Sequence, residues 1–262
     1  MNDVVAAIDR RRNPDGGFGP RTDTPSEPEP TALIALAFDD GLARRWLISD
    51  QQADGSIGLR AGGVFRDVTA LGALALPAGP ARERALDHVE AVAGRNVPDP
   101  AMTAEGWSWT DGAHGWTEPT AWGYLSLRLL RPTATARIAD AAAMFAEREC
   151  VGGGWNYGSR TTVGTDLHPY VQTTGLALLA LGATAPELTD RGVDRLRDLW
   201  RSEASGDLSL AVASCALRAF QAPDAVDAER ANRERAGMGT DDNVIFAWQA
   251  FAQGAAGPWS VR

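Results

Sequence analysis

Asp166 and His168 stand two residues apart in Thr165-Asp166-Leu167-His168-Pro169-Tyr170. Alternate residues of an extended chain share a face, so this spacing predicts a carboxylate that orients an imidazole for general base catalysis. Glu118, together with Glu29 and Asp67, opens an apolar stretch and would set carboxylates at the mouth of any cavity those stretches enclose. The same residues also serve as helix-start charges, since a helix N-terminus is partly positive and its first N–H groups are unpaired. Asp166, His168 and Glu118 are the candidate catalytic residues. His114 in Asp111-Gly112-Ala113-His114-Gly115 is a further candidate, whereas His88 falls in an amphipathic segment and is expected at the surface.

Aromatic side chains gather near these groups. Trp107, Trp109, Trp116, Trp122 and Trp155 lie in or beside two glycine-rich stretches, with Tyr157 and Tyr170 close by. Ring faces stabilise cations and stack on sugars, which makes Trp107, Trp109, His114, Trp155, Tyr157 and Tyr170 the candidate ligand contacts. Core packing accounts for Trp122 and Trp155 equally well. All 25 basic residues are Arg, so no lysine can form a Schiff base. Cys150 and Cys215 are far apart in the chain and form neither a disulfide framework nor a zinc knuckle; Cys215 reads as a small buried hydrophobe. There is no Gly-x-Ser-x-Gly elbow, Walker loop, dinucleotide fingerprint or His-Glu-x-x-His, and neither metal nor cofactor is expected.

The elements that must position these residues repeat. Glu29-Pro30-Thr31-Ala32, Asp67-Val68-Thr69-Ala70, Glu118-Pro119-Thr120-Ala121 and Gln172-Thr173-Thr174-Gly175 each open an apolar helix, and their threonines are 38, 51 and 54 residues apart. That period is the size of a helical hairpin. Helices apolar on nearly all sides are predicted at about Pro30–Phe38, Val68–Leu76, Pro119–Leu130, Val171–Leu181, Leu208–Phe220 and Asn243–Phe251. Amphipathic ones precede them at about Val4–Arg12, Leu42–Gln52, Ala81–Ala93, Ile138–Glu149, Asp190–Glu203 and Val226–Arg235. Strict alternation of buried and half-exposed helices is satisfied by an inner ring within an outer ring, so the expected fold is all-α, a single α6/α6 toroid over residues 1–262. An open solenoid would leave its ends in need of polar caps, and the last apolar helix, with Val244, Ile245, Phe246, Trp248 and Phe251, is too apolar for one. The long, Trp- and Gly-rich connections all fall on one end of such a ring, where a site is expected.

Composition narrows the classes of function. The 44% of hydrophobic residues against 23% charged is the balance of a chain that buries a large core. A net charge of −9 repels phosphate backbones, so nucleic acid is not an expected partner. No apolar stretch approaches the roughly 20 residues of a transmembrane helix. Met1-Asn2-Asp3-Val4 shows no export signal, and a cytoplasmic protein is expected.

Gly152-Gly153-Gly154-Trp155-Asn156-Tyr157-Gly158 followed by Gln172-Thr173-Thr174-Gly175-Leu176 resembles the repeat shared by squalene-hopene cyclases and protein prenyltransferase β subunits. Asp15-Gly16-Gly17-Phe18-Gly19, Asp54-Gly55-Ser56-Ile57-Gly58 and Gln51-Gln52 are similar to other parts of that repeat. The resemblance implies an α/α toroid around an apolar cavity and an isoprenoid-like ligand. The catalytic signatures of both relatives are absent. No Asp-x-Asp-Asp, the acid of the squalene-hopene cyclases, occurs, and Asp207-Leu208-Ser209 stands where the prenyltransferases carry Asp-x-Cys, with no histidine beyond His168 to complete a zinc site; the Asp-Asp-x-x-Asp of class I terpene synthases is absent too.

Three readings therefore stand side by side. The leading one is a prenyltransferase/squalene-cyclase-like protein that binds or acts on an isoprenoid or similar long apolar molecule. The second is a noncatalytic toroid that takes a partner protein or lipid at its loop-rich end. The third is a carbohydrate-active toroid in which carboxylates such as Glu118 and Asp166 flank a glycosidic bond.

Overall fold

The structure, a computed structural model, describes residues 2–61, 64–95, 102–202 and 206–260. It is predominantly α-helical. The helices are α1 (Asn2–Arg11), α2 (Pro28–Phe38), α3 (Gly41–Asp50), α4 (Thr69–Ala75), α5 (Pro80–Ala91), α6 (Thr117–Leu130), α7 (Thr135–Glu147), α8 (Val171–Leu181), α9 (Pro186–Ser202), α10 (Asp207–Ala219), α11 (Ala225–Ala236) and α12 (Asn243–Ala252). Burial follows the alternation read from the sequence. In α8 every residue except Gln172 is buried, whereas α5 buries only Ala85, Leu86 and Val89. Each fully buried Leu or Ile contributes about 1.5–3 kcal/mol, so the even-numbered helices carry most of the core.

Those helices pack in sequence, α2 on α4, α4 on α6, α6 on α8, α8 on α10 and α10 on α12, and α12 packs in turn on α2. Of the amphipathic helices, α3 packs on α2, α5 on α4 and α6, α7 on α6, α9 on α8 and α10, and α11 on α10 and α12. Trp122 of α6 and Trp248 of α12, three steps apart in that circuit, meet with ring centroids 6.1 Å apart. Trp248 stacks further on Trp259 at 5.2 Å.

The recurring threonines have one structural job. Thr31, Thr69, Thr120 and Thr174 are 0–1% exposed, and each hydroxyl accepts the backbone N–H of an anchor residue in the preceding loop. The anchors are Phe18 (2.9 Å), Ile57 (2.8 Å), Trp107 (3.0 Å) and Trp155 (3.0 Å). The same hydroxyl oxygens lie 3.1–3.3 Å from the anchors' carbonyls, and that of Thr174 donates there. Three anchors follow a glycine two residues earlier in left-handed conformation, Gly16, Gly55 and Gly153, with φ of +94°, +86° and +95°. At Gly55 and Gly153 a Cβ would also meet the backbone of the next amphipathic helix, 2.2 Å from the Arg84 carbonyl oxygen and 2.7 Å from that of Arg191.

The two tryptophan anchors add a second tie. The Trp107 indole N–H donates to the Val89 carbonyl in the last turn of α5, and that of Trp155 to the Phe145 carbonyl in the last turn of α7, both at 2.8 Å. Last-turn carbonyls have no partner within their own helix, so each indole closes a helix end.

Two hairpins interrupt the long loops: β1 (Gly58–Ala61) with β2 (Val64–Asp67), and β3 (Thr161–Thr162) with β4 (Thr165–Asp166), both antiparallel. The sequence reading leaves both segments as loop, because strands this short carry too few residues for a period of two to stand out. No helix among the described residues is long and apolar enough to cross a membrane.

Candidate functional site

The β1–β2 hairpin carries Arg66 toward the start of α2. There its guanidinium pairs with Glu29 and lies 4.3 Å from the centroid of Trp109. Glu118, in the first turn of α6, belongs to the same cluster. It retains a little accessible surface, but protein atoms crowd its carboxyl. Burial and the Glu29 charge push that carboxyl up to about 8, overriding the pull of Arg66 and a hydrogen bond from the Trp122 side chain. Glu27 is also raised, by burial and by Glu29. Three carboxyl groups thus gather around one guanidinium, and the most enclosed of them, Glu118, keeps its proton at neutral pH.

Asp67 follows Arg66 and connects the cluster to a second group. Its backbone N–H donates to the Trp109 carbonyl at 2.7 Å, and its Oδ1 accepts the N–H and hydroxyl of Thr69 at 2.8 and 2.5 Å. Its Oδ2 lies 2.8 Å from His88 Nε2. His88 is therefore half-buried and paired, not the surface residue expected from its amphipathic helix. Burial lowers the imidazole pKa, but the hydrogen bond and charge of Asp67 outweigh it, and the net shift is upward.

Two neighbouring spaces lie beside Asp67. A narrow apolar slot of about 20 Å³ runs between Leu71, Val89, Trp109, Pro119 and Trp122. Beside it is a chamber of about 360 Å³, whose walls include Asp54, Phe65, His88, Thr110 and Asp111. Asp67, Val92, Trp107 and Ser108 line both. Asp54 is held below the usual carboxylate range by hydrogen bonds from Ser56, so the chamber keeps an anionic wall.

The other expected site residues lie in different surroundings. Trp155 is 1% exposed with its indole N–H committed to Phe145, and so offers no ring face to a ligand. Trp107 is 4% exposed and is capped on one face by the Arg137 guanidinium at 4.1 Å. Asp166 and His168 are exposed at and just beyond β4, and no side-chain hydrogen bond joins them among the described residues. His114 stacks on Trp116 at 5.2 Å and Tyr157 packs on Tyr170 at 5.1 Å; together the four rings flank a cleft of about 240 Å³. Cys215 is buried, its thiol pushed up to about 12 by desolvation, and both cysteines are free.

Arg66 and the pairing of His88 with Asp67 escape the sequence reading. Arg66 carries one local signal, its place next to Asp67 in the recurring phrase, but nothing in the sequence points it at Glu29. No group of three or more His, Cys, Asp or Glu side chains suited to a metal ion occurs among the described residues. No protein-family model matches the chain, and no curated protein matches it.

Proposed function

We propose that the chain is a single α6/α6 toroid, six apolar helices within six amphipathic ones, built on the repeat of squalene-hopene cyclases and protein prenyltransferase β subunits. At its loop-rich end it binds an apolar, isoprenoid-like small molecule. The return of α12 onto α2 supports closure, and the four threonine ties support a common repeat. The ligand reading is carried by one observation: beside a narrow apolar slot walled by Leu71, Val89, Trp109 and Trp122 lies a chamber of about 360 Å³ whose walls mix apolar side chains with Asp54, Asp67 and His88. The chamber's Phe65, Val92 and Trp107 beside Asp54, His88 and Thr110 suit a molecule with a greasy body and a hydrogen-bonding head.

Uptake is favoured over cyclisation. A carboxyl that titrates at about 8, as Glu118 does, donates a hydrogen bond at neutral pH but is a weak acid toward an alkene. The contact between Trp122 and Trp248 also places side chains across the middle of the proposed ring, which favours the noncatalytic reading over a wide bore. Asp166, exposed at β4, adds nothing to the sugar-active reading.

The test is thermal unfolding with and without farnesol, alongside mass spectrometry of lipids that co-purify with the protein. At ten times its Kd the ligand adds about 1.4 kcal/mol, a rise in Tm of roughly 3–6 °C. Val92→Trp, at a half-buried position that lines both spaces, should abolish the rise. Absence of any shift in the unaltered protein, with no apolar ligand recovered, overturns the reading.

A further inference from the structure

His114, Tyr157 and Tyr170 stand apart from the slot and chamber described above, and with Trp116 they flank the cleft of about 240 Å³. That cleft shares no lining residue with either space. Tyr157 and Tyr170 are 47% and 46% exposed although they pack on each other, so much of both rings is open to solvent. Clustered aromatic surface, unlike a lone exposed ring, marks a place of contact.

Gly158 keeps the cleft open. Its φ is not left-handed, so the backbone does not require glycine there. A Cβ would lie 3.8 Å from the Trp116 ring and 4.0 Å from His114 Nε2, ordinary contact distances, so packing does not require it either. A longer side chain at this position would fill the space beside those two rings.

The chemistry of the walls selects among ligands. No carboxylate or guanidinium lines the cleft among the described residues. A primary ammonium brings three N–H donors that would lack charged acceptors, and an anion would lack a counter-charge in a chain of net charge −9. The one amide at the cleft, Asn156, is spent within its own loop: its Oδ1 accepts the Gly158 N–H at 2.9 Å and its Nδ2 donates to the Ser159 carbonyl at 2.7 Å. A sugar would find rings to stack on but no uncommitted amide or carboxylate to hold its hydroxyls. A quaternary ammonium has no N–H to satisfy, and aromatic rings attract its charge through their quadrupoles.

We propose that this cleft binds a small molecule bearing a trimethylammonium group, held by the rings of Trp116, Tyr157 and Tyr170. An apolar cavity of about 150 Å³ holds benzene, a molecule of similar bulk, so the space suffices.

Choline and 3,3-dimethyl-1-butanol, alike in shape but only one a cation, are the probes, with binding followed by protein NMR titration. The unaltered protein should bind choline about five- to thirtyfold more tightly, the worth of a cation–π contact. Tyr157→Leu combined with Tyr170→Leu, both at exposed positions, keeps apolar surface but removes two rings, and should bring the ratio close to one. Gly158→Leu should block both probes. Val92→Trp should change neither, which separates this site from the one proposed above. The inference is overturned if neither probe binds, if the neutral probe binds as well as choline, or if Gly158→Leu leaves binding intact. A choline preference that survives the double substitution is general attraction to an acidic protein and overturns it too, as does methyl glucoside binding in the cleft where choline does not.

Discussion

Thr174→Val isolates the tie that defines the repeat. The substitution keeps the shape of the side chain and removes only its hydroxyl, which accepts the Trp155 N–H at 3.0 Å and donates to the Trp155 carbonyl at 3.2 Å. That carbonyl keeps two other donors, the Thr173 hydroxyl at 2.6 Å and the Tyr170 N–H at 3.0 Å. Valine therefore strands a single group, the buried Trp155 N–H, at a cost of about 2 kcal/mol. For a chain of this length that lowers Tm by roughly 4–8 °C. Thr174→Ser keeps the hydroxyl and loses a methyl group, worth about 1 kcal/mol. Melting followed by far-ultraviolet circular dichroism should rank the proteins unaltered, then serine, then valine, and Thr162→Val, at an exposed position, should match the unaltered protein. If serine costs as much as valine, the threonine contributes packing and the hydrogen-bond account of the repeat fails.

Three more predictions concern the loop-rich end. Because the Glu118 carboxyl is raised to about 8 from 4.5, its protonation supports the fold below about pH 4.5, and that support is lost as pH climbs through 8. The loss amounts to about 3–5 kcal/mol, and Glu118→Gln should remove it, so urea denaturation at acid and alkaline pH should differ less in the variant; an unchanged difference refutes the assignment. His88 is raised by Asp67, so NMR should place its titration above the ordinary imidazole value, and Asp67→Asn should bring it down. A titration that ignores the substitution would break the pairing. At Gly123 a Cβ would lie 2.4 Å from the Trp107 ring, so Gly123→Ala should destabilise by about 1–3 kcal/mol and shift tryptophan fluorescence; full stability would show that Trp107 yields freely.

The sequence by itself determined the helices and their order. The apolar run read from Val171 to Leu181 is α8 residue for residue, and the one read from Pro30 is α2, which begins at Pro28. A helix's face is set by residues three and four apart, so its pattern is complete within a dozen positions. The repeated threonine was visible for the same reason, although its partner, the backbone of a loop residue as many as 19 positions earlier, was not.

Tertiary structure alone decided the chemistry. Asp166 and His168 are neighbours in the chain, yet the fold leaves both exposed and unjoined, whereas Glu29 and Arg66, 37 positions apart, form an ion pair. His88 sits on an amphipathic helix that looks solvated from its own sequence, and only the hairpin that delivers Asp67 makes it a half-buried, paired imidazole. The proton on Glu118 likewise depends on the burial imposed by α6 and on the charge of Glu29 from α2. Periodicity is a property of neighbours along the chain, while proximity, charge coupling and the local dielectric belong to groups that only packing brings together.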